Sequence, residues 1–126
     1  MVLEFLEAMQ ANDPEPIFEY YDKGIIQTEF PNHIMPSTAR RNLEDLKTAW
    51  QKGKRIMQSE RYEVTHSYAF GDIVIIEAKW IGKLSVDIGT LKAGEEIKAF
   101  FAQIFEFQNG KIVRQRNYDC FEPFLM

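Results

Sequence analysis

The sequence predicts an α+β fold in which helices come first and a curved, mainly antiparallel sheet follows. Apolar residues recur at helical spacing in the stretches before Lys54, whereas period-two alternation dominates from Glu60 onward. Segregation of the two periods favours an α+β domain over alternating βαβ units. The dipeptide Asn109-Gly110 between two apolar runs adds a strong hairpin signal, because both central residues of the tight turn need positive φ.

Three N-terminal helices are predicted. Their ranges are residues 2–12, Glu15 to Tyr21, and about Ser37 to Lys54. Pro14 opens the second helix and Gly24 ends it, in keeping with the usual positions of these residues at helix ends. The third helix is the longest and starts at Pro36-Ser37-Thr38. Its predicted buried stripe consists of Leu43, Leu46, Ala49 and Trp50.

Five strands are predicted from alternation and from the turn residues between them. They are Ile25 to Phe30, Glu60 to Phe70, Asp72 to Leu84, Glu96 to Phe107, and Lys111 to about Phe121. Gly89 and Gly94 indicate a loop or a ragged edge between the third and fourth of these. Strict alternation in the last strand places Ile112, Arg114, Arg116, Tyr118 and Cys120 on one face. Val113, Gln115, Asn117, Asp119 and Phe121 fall on the other.

Length and composition indicate one globular domain spanning residues 1–126. A net charge of -4 argues against a nucleic-acid binder, which needs a basic face against phosphates. No apolar run approaches the length of a membrane span, so no membrane partner is expected. The single Cys120 permits no internal disulfide, and a cytoplasmic location is therefore expected. Neither metal-ligand spacing nor a phosphate-binding loop is present, so no metal or other cofactor is expected.

Several short motifs together point to a known family. They are Tyr20-Tyr21-Asp22, Glu29-Phe30-Pro31, Ser37-Thr38-Ala39, Asn109-Gly110-Lys111-Ile112-Val113 and Arg116-Asn117-Tyr118-Asp119. The chain resembles the nuclear-transport-factor-two-like superfamily, and within it the SnoaL-like and ketosteroid-isomerase-like branch. The resemblance covers nearly the whole chain. It implies a cone-shaped sheet that wraps the long helix, leaves an apolar pocket open at one end and often forms a homodimer. Because this superfamily includes both enzymes and binding domains, it implies fold more directly than activity.

The resemblance also implies roles for individual residues. The carboxylate base of ketosteroid isomerases corresponds by position to Glu29. Their oxyanion-hole tyrosine corresponds to Phe5, so that donor is lost, and their partner acid corresponds to Gln103, whose amide can still donate. The acid/base aspartate of SnoaL-like cyclases corresponds to Asp119. Steroid isomerase activity itself is therefore not expected.

Each candidate has a structural alternative. Asp119 is either an inward carboxyl with a raised pKa, or a carboxylate that pairs with a neighbouring arginine or lies at an exposed strand end. Glu29 is either a base or a solvent-facing strand end, and His33 is either a proton shuttle on the pocket rim or a surface histidine. Gln103 is either a pocket group or a buried amide bonded to backbone. His66, on the strand face of Val64 and Tyr68, is expected to be a core or interface histidine.

The leading hypothesis is a domain that binds a small apolar, cyclic molecule and performs cofactor-free acid/base chemistry of isomerase, cyclase or hydratase type. The alternative is a non-catalytic ligand-binding or structural dimerisation module. The candidate catalytic residues are Asp119, Glu29 and His33. The candidate ligand-binding residues are Gln103, Asn117, Tyr20, Trp50, Trp80, Phe101, Phe105 and Phe121.

A homodimer joined through the outer face of the sheet is also predicted. Antiparallel sheets usually bury one face and expose the other to water. Here both faces of the central strands contain large apolar residues, among them Ile75, Phe100 and Ile104. A second copy of the chain would cover the outer ones.

Overall fold

The computed structural model describes residue 7 and residues 17–124, and in it a helix packs on one face of a six-stranded sheet. The elements are β1 (Tyr21–Glu29), β2 (Ala39–Arg41), α1 (Leu43–Ile56), β3 (Met57–Phe70), β4 (Ile73–Leu84), β5 (Glu96–Gln108) and β6 (Lys111–Phe121). The strand order is β2-β1-β6-β5-β4-β3. All neighbours pair antiparallel except β1 and β6, which run parallel, so the sheet is mixed. No helix within the described ranges is long and apolar enough to cross a membrane.

The α+β class is confirmed, but the predicted start of the longest helix is wrong. Ala39–Arg41 form β2, and α1 begins only at Leu43 and is 14 residues long. The Asn42 side chain accepts a hydrogen bond from the Asp45 backbone N–H at 2.9 Å, and the Asp45 carboxylate accepts one from the Asn42 N–H at 3.0 Å. This capping box gives acceptors to two backbone N–H groups at the helix start, those of Asn42 and Asp45. The helix therefore starts after Asn42 and not after Ser37-Thr38.

The prediction of three N-terminal helices is not confirmed. The first predicted helix lies outside the described residues, apart from Glu7, which is helical. Of the second, the described part is helical only at Ile17 and Phe18, and Tyr21 already belongs to β1. Gly24 does not end a helix but lies inside β1.

The predicted strands are confirmed, with shifted ends, but two β-bulges change which residues face inward. The register between β5 and β6 shifts at Phe107, which pairs with Ile112, so Ile112 and Gln115 are both buried and Val113 is the extra residue. The prediction that Ile112 shares a face with Arg114 is therefore wrong. The other bulge lies in β3, where the register with β4 shifts between Val64 and His66, and it turns His66 outward.

The inner face of the sheet, defined as the face that packs on α1, contains the hydrophobic core. Its fully buried members include Ile25, Ile76, Phe105 and Ile112. Leu43 of α1 packs against this cluster. Alternation accounts for the burial, because β4 buries every second residue from Val74 to Leu84. The same alternation brings polar residues of β1, β5 and β6 onto this apolar face.

Gly82 is predicted to be important for stability, because a larger side chain would collide with its neighbours. A Cβ atom at this position would lie 2.7 Å from Met57 Sδ and 2.7 Å from Cη2 of the Trp80 indole. Met57 can move, but the Trp80 ring is stacked on Phe101 at 5.5 Å between centroids and has little room to shift. We expect Gly82→Ala to lower the free energy of unfolding by about 1–3 kcal/mol, measured by chemical denaturation.

The matched control for this variant is Gly53→Ala in α1. A Cβ atom there would meet no atom within 4 Å beyond its chain neighbours and the backbone of its own helix. Alanine is the better helix former, so this change should stabilise the protein by up to about 1 kcal/mol. Equal loss of stability in both variants would contradict the packing argument.

Candidate functional site

Asp119 lies on the inner face of β6, opposite Phe101 of β5. Its Oδ1 atom is buried, and it has no hydrogen-bond partner among the residues that the structure describes. The pKa of Asp119 is raised from 3.8 to about 7. Burial is the largest cause, the negative charge of Glu29 raises the pKa further, and the positive charge of Arg41 partly offsets both. Asp119 is thus a carboxyl group that can gain and lose a proton near neutral pH.

Glu29 ends β1 and is held by an arginine and an asparagine. Arg41 Nη1 lies 2.9 Å from Glu29 Oε1, and each side chain is only 16% exposed. Asn32 Nδ2 donates to Glu29 Oε2 at 2.7 Å. Arg41 pairs with Gln27 across β1 and β2, and its guanidinium also donates to Gln27 Oε1 at 3.0 Å. These donors give Glu29 a fixed, compensated negative charge, whereas Asp119 has no such partner.

Three glutamines are buried on the same face, and each has its side-chain carbonyl occupied. Gln27, Gln103 and Gln115 are 3%, 6% and 5% exposed. Gln27 accepts from Arg41, as above. The Tyr62 hydroxyl donates to Gln103 Oε1 at 2.5 Å, and the Tyr21 hydroxyl donates to Gln115 Oε1 at 2.8 Å. Each of the three buried side-chain carbonyls therefore has a hydrogen-bond donor, and the NH₂ group of the same side chain points away from that donor.

Burial keeps both tyrosines in their donor form. It is the main cause of the raised pKa of Tyr21 and of Tyr62, and the charge of Asp119 raises that of Tyr62 further. The phenols therefore remain protonated at physiological pH. The charge effect also indicates that Tyr62 lies on the Asp119 side of the inner face.

An aromatic cluster borders Asp119. Trp80 stacks on Phe101 with centroids 5.5 Å apart, and Phe121 meets both rings edge-on at 6.2 Å. The Tyr62 ring is 6.2 Å from that of Phe101. Trp80 is oriented by a 3.1 Å hydrogen bond from its Nε1 to Glu60 Oε1. This apolar border explains the desolvation of the Asp119 carboxyl.

The structure thus brings together part of the predicted site. Asp119, Gln103, Asn117, Trp80, Phe101 and Phe121 lie on the inner face around one another, with Glu29 beside them. Phe105 is fully buried in the core, and Tyr20 packs against that core. Trp50 lies on α1, with its ring against Phe18 at 6.0 Å and Lys54 above it at 4.4 Å.

His33 lies in the loop after β1 but contacts the C-terminal segment. Its Nε2 donates to the Phe124 carbonyl at 2.5 Å, and the two rings meet edge-on at 4.6 Å. The position next to the Glu29 carboxylate is taken by Asn32 instead. His66 is exposed on the outer face, 3.7 Å from Glu77, because the register shift between Val64 and His66 reverses its direction. The prediction that it lies in the core is therefore wrong, and the alternative of an interface histidine stays a prediction.

Sequence reasoning missed several residues that surround the predicted ones. They are Tyr21, Gln27, Asn32, Arg41, Tyr62 and Gln115. A signal existed for Gln27, because it alternates with Ile25 and Glu29 and is therefore polar on a buried face. No such signal existed for Arg41, because it falls inside the predicted helix from about Ser37 to Lys54. Within the described ranges, no three His, Cys, Asp or Glu side chains are grouped to hold a metal ion.

The comparisons with solved structures agree on the fold. The chain superimposes with a TM-score of 0.75 on AclR of Streptomyces galilaeus, a candidate hydroxylase, at 16% identity over 94% of this chain and 75% of that one. The TM-score is 0.74 for IdmH of Streptomyces antibioticus, a candidate polyketide cyclase, at 18% identity over 94% and 88%. An LEH-like epoxide hydrolase of M. tuberculosis gives 0.64, at 17% identity over 96% and 79%.

Identities this low support a shared fold and no more. The comparison with proteins of curated function gives no significant match. The model of the SnoaL-like domain family matches residues 2–115, which is most of the chain. The chain therefore belongs to the SnoaL-like domain family.

Proposed function

We propose that this domain binds a small, apolar, cyclic molecule and catalyses a proton transfer on it without a cofactor. The observation that supports this proposal is the Asp119 carboxyl, which is buried beside an aromatic cluster, has a pKa of about 7, and has an Oδ1 atom without a donor among the described residues. A general acid or base works best when its pKa is near the working pH. Desolvation beside a second carboxylate is a common way to reach such a value.

The two carboxyl groups have separate tasks in this proposal. Ionised Asp119 takes a proton from a carbon next to a carbonyl, or from a water molecule, and protonated Asp119 returns it to the product. Glu29 is held by Arg41 and Asn32, and its negative charge adds to burial in raising the pKa of Asp119. A buried carboxyl group with a second carboxylate beside it is typical of acid/base sites.

The fold neighbours support cofactor-free chemistry in general terms. Proteins named as a candidate polyketide cyclase and an epoxide hydrolase share this fold. Ring closure at a carbon next to a carbonyl group needs proton transfer, and epoxide hydrolysis needs an activated water and a proton donor. Asp119 could serve either reaction, and the inner-face aromatic rings suit a flat, apolar ring system.

The test uses 1-indanone in D₂O, with loss of its C2 hydrogens followed by NMR, and cyclohexene oxide as a second probe. We expect the wild-type protein to accelerate one of the two reactions, with a rate that changes through pH 7 as Asp119 ionises. Asp119→Asn should abolish this acceleration. Probe binding without acceleration at any pH between 5 and 9 would instead favour the alternative, a non-catalytic ligand-binding domain.

We also propose that two copies associate through the outer face of the sheet. Four residues of this face are exposed despite their apolar rings or chains: Phe100 at 53%, Ile26 at 45%, Tyr118 at 41% and Ile75 at 37%. They lie on four adjacent strands, with charged side chains among them that include the Arg116–Glu106 ion pair. Burying these apolar side chains against a second copy would remove them from water.

Light scattering tests this association. The wild-type protein should have the mass of a dimer at micromolar concentration, and Phe100→Asp should weaken the dimer at least about tenfold, because a charge would be buried at the centre of the interface. Val86→Asp is the control, since Val86 is 44% exposed but lies outside the strands. A monomeric wild-type protein would disprove the proposal.

A further inference from the structure

Two amide groups beside Asp119 are unused hydrogen-bond donors. Gln103 and Asn117 are direct partners across β5 and β6 and both face inward. Their carbonyl oxygens are occupied, because Gln103 accepts from Tyr62 and Asn117 accepts from Gln115 Nε2 at 2.8 Å. The hydrogen bonds of the described residues provide no acceptor for Gln103 Nε2 or Asn117 Nδ2.

The orientation of the Gln103 amide follows from the contact with Tyr62. The Tyr62 hydroxyl donates to Gln103 Oε1, so the carbonyl of Gln103 faces the phenol. Rotating the amide would place its NH₂ group against the phenol oxygen and would leave the Tyr62 O–H without its acceptor, which costs about 1–3 kcal/mol.

Asn117 is oriented through one intermediate residue. The Tyr21 hydroxyl donates to Gln115 Oε1, which leaves Gln115 Nε2 to donate to Asn117 Oδ1. The Asn117 carbonyl therefore already accepts one hydrogen bond, and its NH₂ group is the donor that remains for a ligand. Because Tyr21 is buried and remains protonated, the whole chain of hydrogen bonds keeps one direction.

The two donors are close enough to bind one atom. Directly opposed residues on an antiparallel pair have Cβ atoms about 5 Å apart, and Asp119 follows Asn117 on the same face about 7 Å further along β6. A ligand oxygen that accepts from both amides would therefore place its neighbouring atoms beside the Asp119 carboxyl.

We propose that Tyr62 and Tyr21 are positioning residues that determine specificity: they hold Gln103 and Asn117 as donors, so the site selects ligands that present an acceptor oxygen and rejects ligands that present an N–H group. The chemical class is a carbonyl compound or a cyclic ether, whose oxygen has two lone pairs. This inference rests on the proposed function in placing the ligand beside Asp119.

The test compares 1-indanone, a bicyclic ketone, with indole, a bicyclic N–H donor of similar size, by NMR titration of the full chain. Wild-type protein should bind 1-indanone at least about tenfold more tightly, because indole leaves two amide donors unpaired. Tyr62→Phe should reduce the ratio of the two affinities to about threefold or less, since Gln103 is then free to rotate and accept. Tyr68→Phe, the same change at an exposed tyrosine of β3, should leave the ratio unchanged.

The ratio of the affinities for 1-indanone and indole distinguishes a change in the amide orientation from a general loss of packing. A loss of packing would weaken the binding of both ligands equally. If Tyr62→Phe does not fold, Gln103→Leu is the second variant, and it should weaken 1-indanone about tenfold while leaving indole nearly unaffected. A wild-type ratio near one, no binding of 1-indanone at millimolar concentration, or an unchanged ratio in a folded Tyr62→Phe protein would overturn the inference.

The outcome is independent of turnover. An acceptor preference in a protein that exchanges no protons would remove the proposed catalysis and leave this inference standing. Proton exchange without an acceptor preference would do the reverse.

Discussion

Asp119→Asn is expected to lower proton-transfer activity by roughly 10² to 10⁴ and, at the same time, to stabilise the protein above neutral pH. The variant keeps the shape of the side chain but cannot exchange a proton. It also removes a charge that the wild-type protein must bury when Asp119 ionises. Loss of activity together with a gain in stability would distinguish a functional carboxyl from a structural one.

The pH dependence follows from the direction of the shift. The pKa of Asp119 is raised from 3.8 to about 7 on folding, so the folded state binds more protons than the unfolded state between these values. The contribution of this group to stability is fully present below pH 3.8 and is lost as pH rises through 7. The difference is on the order of 4 kcal/mol, and it is absent in the Asn variant.

Thermal melts of both proteins at several pH values check this expectation. The wild-type and Asp119→Asn melting temperatures should be similar near pH 4 and should diverge in favour of the variant by several degrees at pH 8. Asp72→Asn, in the exposed turn after β3, is the control and should follow the wild-type curve. A variant that melts below wild type at pH 8 would show that Asp119 is a structural ion-pair partner.

Arg41→Met is expected to be the most destabilising single change at the site, by about 1–3 kcal/mol. Arg41 and Glu29 are each 16% exposed, and the substitution leaves the partly buried Glu29 carboxylate with Asn32 as its remaining side-chain donor. Breaking one half of such an ion pair costs more than replacing both halves, because the remaining charge is uncompensated. The free energy of unfolding from urea titration measures this loss.

Two further variants separate the effect of the unpaired carboxylate from a general effect of losing an arginine side chain. Arg40→Met alters the exposed neighbour in β2 and should change stability by less than about 0.5 kcal/mol. The double variant Glu29→Gln/Arg41→Met should recover most of the lost stability. If the double variant is as unstable as Arg41→Met alone, the loss comes from packing of the arginine chain and not from the unpaired carboxylate.

The same variants should move the Asp119 pKa in opposite directions. Arg41 lowers this pKa and Glu29 raises it. Carbon-13 NMR of the Asp119 carboxyl should therefore give a midpoint above 7 in Arg41→Met and below 7 in Glu29→Gln. Identical midpoints in the two proteins would mean that neither charge acts on Asp119, and burial alone would then explain its value.

Local sequence patterns determined the class of this fold and most of its strands. The Asn109-Gly110 turn is observed with both residues at positive φ, and the strand that follows it spans Lys111–Phe121 as predicted. These features are local, because turn geometry and the period of two depend only on nearby residues. The inward direction of Asp119 could also be read from this alternation, since it lies beyond the bulge that reverses Ile112.

The start of α1 shows where local reading was incomplete. Both Ser37-Thr38 and Asn42 are reasonable N-caps, and the choice between them depends on whether Ala39–Arg41 can pair with β1. That pairing joins residues that are 10 to 14 positions apart, and a single sequence gives no direct sign of it. The arginine of the site was lost for this reason, because a residue predicted on a helix surface lies instead at the sheet edge beside Glu29.

Residue types and alternation by themselves therefore determined an α+β domain and placed Gln115, Asn117 and Asp119 on one face of its last strand. Only the tertiary structure decided what those groups can do. The parallel pairing of β1 with β6 brings Glu29 and Arg41 to Asp119, and the packing of β3 brings Tyr62 to Gln103. A pKa depends on burial and on charges from distant parts of the chain, and the direction of an amide depends on its partner. Neither property exists until these strands meet.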